Sequence, residues 1–203
     1  MFKQTFSLLL IGCFSLLSVS FAQVTLSVQS GSEFAVDGGS TLSDWSVKTT
    51  EISGTIELDR AFTKKGLPKK GSEIALTNLS IPVSSLDGGR GATMNDKILK
   101  AFDVTNHPDI VYELTSATVT GTDAAKKQFT MDTKGTLSMA GVSREISFPL
   151  TAEMQADGSF VFSGEYKTSF SNFEIEPPSA MFGQIICEDP VLIRLTLATA
   201  ASE

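Results

Sequence analysis

Hydrophobic and polar residues alternate with period two along most of this chain, the pattern of strands with one face buried and the other in water. Val24, Leu26 and Val28 alternate with Thr25, Ser27 and Gln29, and Ile52, Gly54, Ile56 and Leu58 with Glu51, Ser53, Thr55 and Glu57. Beyond Glu73 the apolar set moves from Ile74 and Leu76 to Leu79, Ile81 and Val83. That change of parity predicts a bulge near Thr77 and Asn78, and Pro82 marks an edge or a strand end. Pro108 biases His107 toward extended geometry, so Asn106–Leu114 reads as a loop feeding a strand over Ile110–Leu114. Phe129, Met131, Leu137 and Met139 share odd parity, and Ile146, Phe148 and Leu150 share even parity. A hairpin turning over Ala140–Val142 joins them. Phe160, Phe162 and Tyr166 follow a turn at Ala156–Gly158, and a last strand runs through Val191, Ile193, Leu195 and Leu197.

Only Thr93–Phe102 prefers a helix, with Met94, Ile98 and either Phe102 or Leu99 on one face and Thr93 or Asn95 as the expected cap. About eight or nine strands, short turns and one short helix, without repeats or a second domain, predict an all-β fold: a single antiparallel barrel of about eight strands. A barrel of that size encloses either its own side chains or one slim ligand.

The N-terminus departs from this pattern. Lys3 precedes an apolar run from Phe6 to Val19 that ends in Ser20, Phe21 and Ala22, the signature of a secretory signal peptide cut after Ala22. A competing reading takes Leu10–Cys13 as a lipobox anchoring the chain through Cys13. Residues 23–203 then form one exported, periplasmic or secreted domain, and no other apolar run is long enough to span a bilayer. Removing Lys3 lowers Lys plus Arg from 16 to 15 against 23 Asp plus Glu, so the net charge moves from −7 to −8. An acidic balance of this kind argues against nucleic acid or an anionic membrane surface as the main partner. Cys187 alone outlasts cleavage, so the fold must rest on its core without an internal disulfide.

Catalytic chemistry finds little support. His107 is the only histidine, and no G-x-S-x-G elbow supplies a nucleophile; a structural role at the start of a strand is the expected one. One His and one Cys do not make a zinc set, and no calcium loop is present. Asp87–Thr93 is glycine-rich but matches neither a P-loop nor a dinucleotide fingerprint. Thr63–Lys70 carries four lysines and reads as a solvated tip; if the chain binds a lipid with a phosphate or other polar head, this tip and Arg90 are the first cationic groups to test. Four of the 14 phenylalanines leave with the leader. The ten that remain fit an ordinary core or a tunnel accepting an apolar chain, and the residues leave both readings open.

Three stretches, Gly38–Leu58, Ile81–Leu114 and Gly135–Met154, resemble in order the signature segments of the YceI-like family. Ser85, Leu86 and Asp87 form a Ser-x-Asp-like strand end; Asp96 and Leu99 follow on the helix, then Phe102, Val104, Pro108, Ile110 and Tyr112. With Thr168–Gly183 and Val191–Leu197 the likeness covers nearly all of residues 23–203. Asp44 and Trp45 follow Ser40–Leu42 without the longer histidine and glycine pattern of many members, which marks a divergent branch. The resemblance implies a lipocalin-like barrel whose lumen holds a polyisoprenoid, a quinone or a related lipid for transport, storage or sensing. It also implies no enzymatic cofactor, and partners that include a second copy of the chain, a membrane cytochrome or another periplasmic protein. The expected lining is Leu76, Ile81, Leu137, Phe148, Phe160, Phe162 and Leu195, with Trp45, Phe102, Tyr112, Met181 and Phe182 near an end or mouth. The alternative is an interaction module whose barrel is filled by its own side chains.

Overall fold

A computed structural model describes residues 23–59 and 66–201, without the side chains of residues 23–24, 58–59, 75–77 and 201. The leader, Cys13 and the first residues of the lysine-rich tip lie outside it. In chain order the elements are β1 (Gln23–Val28), β2 (Glu33–Ser40), β3 (Trp45–Thr49), β4 (Ser53–Asp59), β5 (Glu73–Pro82), α1 (Ala92–Ala101), β6 (Asp109–Asp123), β7 (Gln128–Met139), β8 (Val142–Met154), β9 (Phe160–Ser169), β10 (Ser179–Ala180) and β11 (Ile185–Ala201).

All strand pairings are antiparallel, and β11 closes the ring. One edge of β11 pairs with β9; the other pairs with β2 up to Thr196 and then with β1 from Thr199 onward. β1 and β2 are therefore two halves of one strand. β3 and β4, which pair with β2 and β1, are halves of the next, so the barrel has eight strands. Ser32 mends the break between β1 and β2: its buried hydroxyl accepts from the Ala198 N–H at 3.0 Å and donates to the Gln29 carbonyl at 2.8 Å. A buried backbone N–H left alone there would cost about 1–3 kcal/mol.

The period-two pattern became the inside of the barrel. Phe129, Met131 and Thr133 on β7 face Ala152, Leu150 and Phe148 on β8, and Ala152 and Leu150 face Phe162 and Gly164 on β9. The expected bulge is real and falls at Leu76, where Glu57 pairs with Ala75 and Ile56 with Thr77. β5 ends at Pro82 as expected. At the β7–β8 hairpin, Ala140 and Gly141 take φ of 48° and 80°, the double positive φ of a two-residue turn that follows the twist of its strands.

Two strands were not foreseen, and one expectation needs correction. β2 and β3 were not legible as strands, because Gly38 and Gly39 break the apolar alternation. Nor does Thr93 or Asn95 cap α1: the cap residue is Gly91, without a side-chain bond. Asn95 braces the preceding loop, accepting from the Gly88 N–H at 3.1 Å and donating to the Asp87 carboxylate at 3.0 Å.

Candidate functional site

The end of the barrel that carries α1 is built differently from its middle. There β3 pairs with β2 alone, apart from a single bridge between Lys48 and Asp87. α1 lays buried Ile98 and half-buried Met94 on the barrel end, and Phe102 follows them into the core. Trp45 is central to this end. Its indole lies flat on Gly38, where any Cβ would collide with the ring, and stacks on Phe170 with centroids 5.9 Å apart. Its N–H donates to the Gly39 carbonyl at 2.8 Å. The tryptophan is thus fixed by a strand glycine, a neighbouring ring and a hydrogen bond.

Three cavities meet at Trp45. On one side is an open cleft of about 820 Å³ bordered by Asp37, Asp44, Arg90 and Lys167. On the other is a mouth of about 270 Å³ between Leu42, Met94, Pro178, Met181 and Cys187. Below the mouth, Trp45, Met94, Pro178 and Cys187 also border a wholly apolar void of about 20 Å³ floored by Val36, Val47, Phe102 and Phe170. Deeper in the barrel Ile56, Leu79, Tyr112, Met131, Leu150, Phe162 and Leu195 enclose another apolar void, of about 30 Å³. Each inner void is about the size of one water molecule, far below the several hundred Å³ of an ordinary ligand pocket.

Tyr112 stands out in the deeper void. It is 6 % exposed, and its hydroxyl has no hydrogen-bond partner. The Thr133 hydroxyl, on the same wall, donates its own proton to the Phe148 carbonyl at 2.6 Å and makes no hydrogen bond with the phenol. Burial pushes the Tyr112 phenol above its ordinary value, with Thr133 offsetting part of the rise, so it remains a protonated donor at neutral pH. A buried donor without an acceptor costs about 1–3 kcal/mol, and the only free space beside it is apolar.

Between β8 and β9 the wall is incomplete. They pair only from Leu150 with Gly164 to Met154 with Phe160. Toward the α1 end they part, and the rings of Phe148 and Tyr166, 6.0 Å apart, fill the seam.

The residues expected to line a ligand fall into three groups. Ile81, Leu137, Phe160 and Phe162 are buried in the core, with Phe148 and Leu195 half-buried against it; Leu76 lies on β5, its side chain outside those described. Trp45, Phe102 and Met181 gather at the mouth, and Phe182 projects beside it, fully exposed. Tyr112 corrects the expectation, sitting deep in the barrel and not at its end. Cys187 is half-buried in the mouth, with its pKa raised by burial against the opposing effect of Lys97. Pro178 and Met94 were missed as mouth residues, since only the fold brings those loops together. His107 packs its ring on Gly141 of the β7–β8 turn, with the Asp103 carboxylate 4.0 Å away. Among the described residues no group of three or more His, Cys, Asp or Glu is placed to hold a metal, and no helix is long and apolar enough to cross a membrane.

The sequence profile of the YceI-like domain matches residues 22–198. The chain belongs to the YceI-like family. Its barrel is similar to Burkholderia cenocepacia BcnA, with 17 % identity over 85 % of this chain and 99 % of that one and a TM-score of 0.63. It is equally similar to a polyisoprenoid binding domain from Saccharophagus degradans implicated in plant cell wall breakdown, with 13 % identity, coverage of 87 % and 98 %, and a TM-score of 0.63. The Campylobacter jejuni YceI protein gives 19 % identity, coverage of 77 % and 84 %, and a TM-score of 0.54. At these identities the likeness establishes the fold. No curated relative matches the chain at comparable stringency.

Proposed function

We propose that this YceI-like protein is an exported, non-enzymatic carrier that holds an isoprenoid lipid in its barrel, taken in at the Trp45 mouth. The observation that carries the reading is the deeper cavity: ten side chains beside Tyr112, nearly all hydrocarbon, around one unpartnered hydroxyl. That combination suits a ligand that is apolar along its length and offers a single acceptor, as a quinone carbonyl or a prenol oxygen does. Support also comes from the family and from a structural neighbour described as a polyisoprenoid binding domain. Affinity would come from burying hydrocarbon, at about 25 cal/mol per Å² before the costs of association. Tyr112 would fix the polar group. Loading requires the inner voids to join, and the half-buried Leu150 and Leu195, which border the deeper one, would have to turn aside.

A second reading has its own support: voids of about 20 and 30 Å³ describe a barrel filled by its own side chains, as an interaction module would be. Trp45 is the only tryptophan in the chain and separates the two. Titrating lipid-stripped protein with a short-tailed ubiquinone should quench Trp45 emission saturably at one equivalent. An unchanged spectrum under conditions that keep the quinone dispersed would favour the filled module.

A further inference from the structure

Among the described residues, the exposed large hydrophobics are Leu42, Met181, Phe182 and Ile186, with 70 %, 64 %, full and 47 % exposure. Leu42 is distant in sequence from the Met181–Phe182 segment but meets it at the mouth, whereas Ile186 alternates with the mouth residues Ile185 and Cys187 and faces the other side of β11. Leu42 and Met181 border the same mouth, and the two loops are laced together by the Thr41 N–H donating to the Ile186 carbonyl at 3.0 Å and the Ile186 N–H to the Thr41 hydroxyl at 3.2 Å. The Met181–Phe182 segment is displayed at a cost. Both residues take left-handed φ, 52° and 56°, which disfavours side chains of this size, and the Phe182 ring stands in water. Isolated exposed apolar residues need no explanation, but a cluster at the opening of an apolar cavity does.

Charge decides what the cluster suits. The same mouth is bordered by two cations, Arg90 and Lys97, and by no carboxylate, in a chain whose net charge is −7. Of the nearby acids, Asp44 borders the neighbouring cleft, whose rim Arg90 shares, and the Glu188 carboxylate lies against Gly39. Lys97 donates to the Ser179 carbonyl, which ties α1 to the loop that carries Met181 and Phe182. Apolar tips beside cations, with an indole just behind them, match an anionic bilayer surface, where acyl chains take the tips and head-group phosphates take the cations.

We propose that the mouth docks onto anionic bilayers, with Leu42, Met181 and Phe182 entering the interface and Arg90 and Lys97 pairing with phosphate. The face that opens the barrel is then the face that meets the membrane. Docking is a property of the outer rim and holds whether the barrel is loaded or empty, so it stands or falls separately from the carrier reading.

Flotation of the exported chain tests this, using vesicles of phosphatidylcholine alone and of three parts phosphatidylcholine to one part phosphatidylglycerol. Wild type and variants share one N-terminus, verified by intact mass, so any contribution from that end cancels. Wild type should float with the anionic vesicles, several-fold less with the neutral ones, and less as salt rises. Leu42→Ser with Phe182→Ser should lower the partition coefficient about tenfold or more. Lys97→Glu should remove the preference for anionic lipid, and thermal melts should show both proteins folded. Wild type that stays with the soluble fraction, or binding unchanged by the double substitution, overturns the proposal; the first result would pass the patch to a protein partner.

Discussion

The ring of Tyr112 lies directly over Gly135 on the neighbouring strand: a Cβ at Gly135 would stand 2.7 Å from two ring atoms and 2.5 Å from the Glu113 carbonyl. The missing side chain on β7 is what lets a tyrosine from β6 lie along the inner wall and carry its hydroxyl to the deep cavity. Gly135→Ala should therefore push the ring into the lumen and cost about 1–3 kcal/mol, measured as a shift of the denaturation midpoint. The same substitution should weaken quinone binding, because it fills space and moves the donor.

Tyr112→Phe separates the cost of the hydroxyl from its use. In the empty protein it removes a buried donor that bonds to nothing, so the melting temperature should hold or rise by a few degrees. In the loaded protein it removes the only bond to the ligand's acceptor, so affinity should fall about tenfold. A variant that loses stability when empty would show that Tyr112 has a partner of its own.

Cys187 offers a chemical probe of the mouth. It borders both the 270 Å³ mouth and the void beneath it, and burial raises its pKa, so little thiolate is present at neutral pH. Modification by a thiol reagent should be slow at neutral pH, should accelerate as pH rises past the ordinary thiol range, and should slow again when the quinone is bound. Equal rates with and without ligand would place the ligand elsewhere.

Asp37 gives the barrel an acid-sensitive clasp. Arg194 on β11 makes two hydrogen bonds to its carboxylate on β2, and this, with a smaller contribution from Ser46, holds the Asp37 pKa below its ordinary value. A folded pKa below the unfolded one gives stability that is complete above the ordinary carboxylate range and is lost as pH falls through the lowered value. Asp37→Asn should flatten that part of the acid limb in melts taken at descending pH. The pair is partly solvent-exposed, so its loss at neutral pH should cost no more than about 1 kcal/mol.

The barrel was legible in the sequence wherever one face of a strand is uniformly apolar. The parity change after Ile74 located the bulge to within a residue or two, and Ala140–Gly141 located a turn. It was not legible at β2, where the inward positions Phe34, Val36 and Gly38 end in a glycine whose role is to receive the Trp45 ring. The mouth was half legible. Trp45 and Phe102 could be placed near an end, but the meeting of Leu42, Pro178 and Cys187 depends on a β11 that runs 17 residues and pairs with four strands, β10, β9, β2 and β1. Tyr112 misled because it follows Pro108 closely in sequence, while the inclined strands carry it well inside the barrel.

The central claim is that the barrel carries an isoprenoid, and it is tested most directly on the protein as the cell makes it. The exported chain should be purified without detergent from a quinone-producing bacterium, extracted with organic solvent and assayed by mass spectrometry. The account predicts one prenyl lipid at about one per chain, depleted in Tyr112→Phe. A protein whose extract holds no stoichiometric lipid, and which takes up no added quinone or prenol, would contradict it.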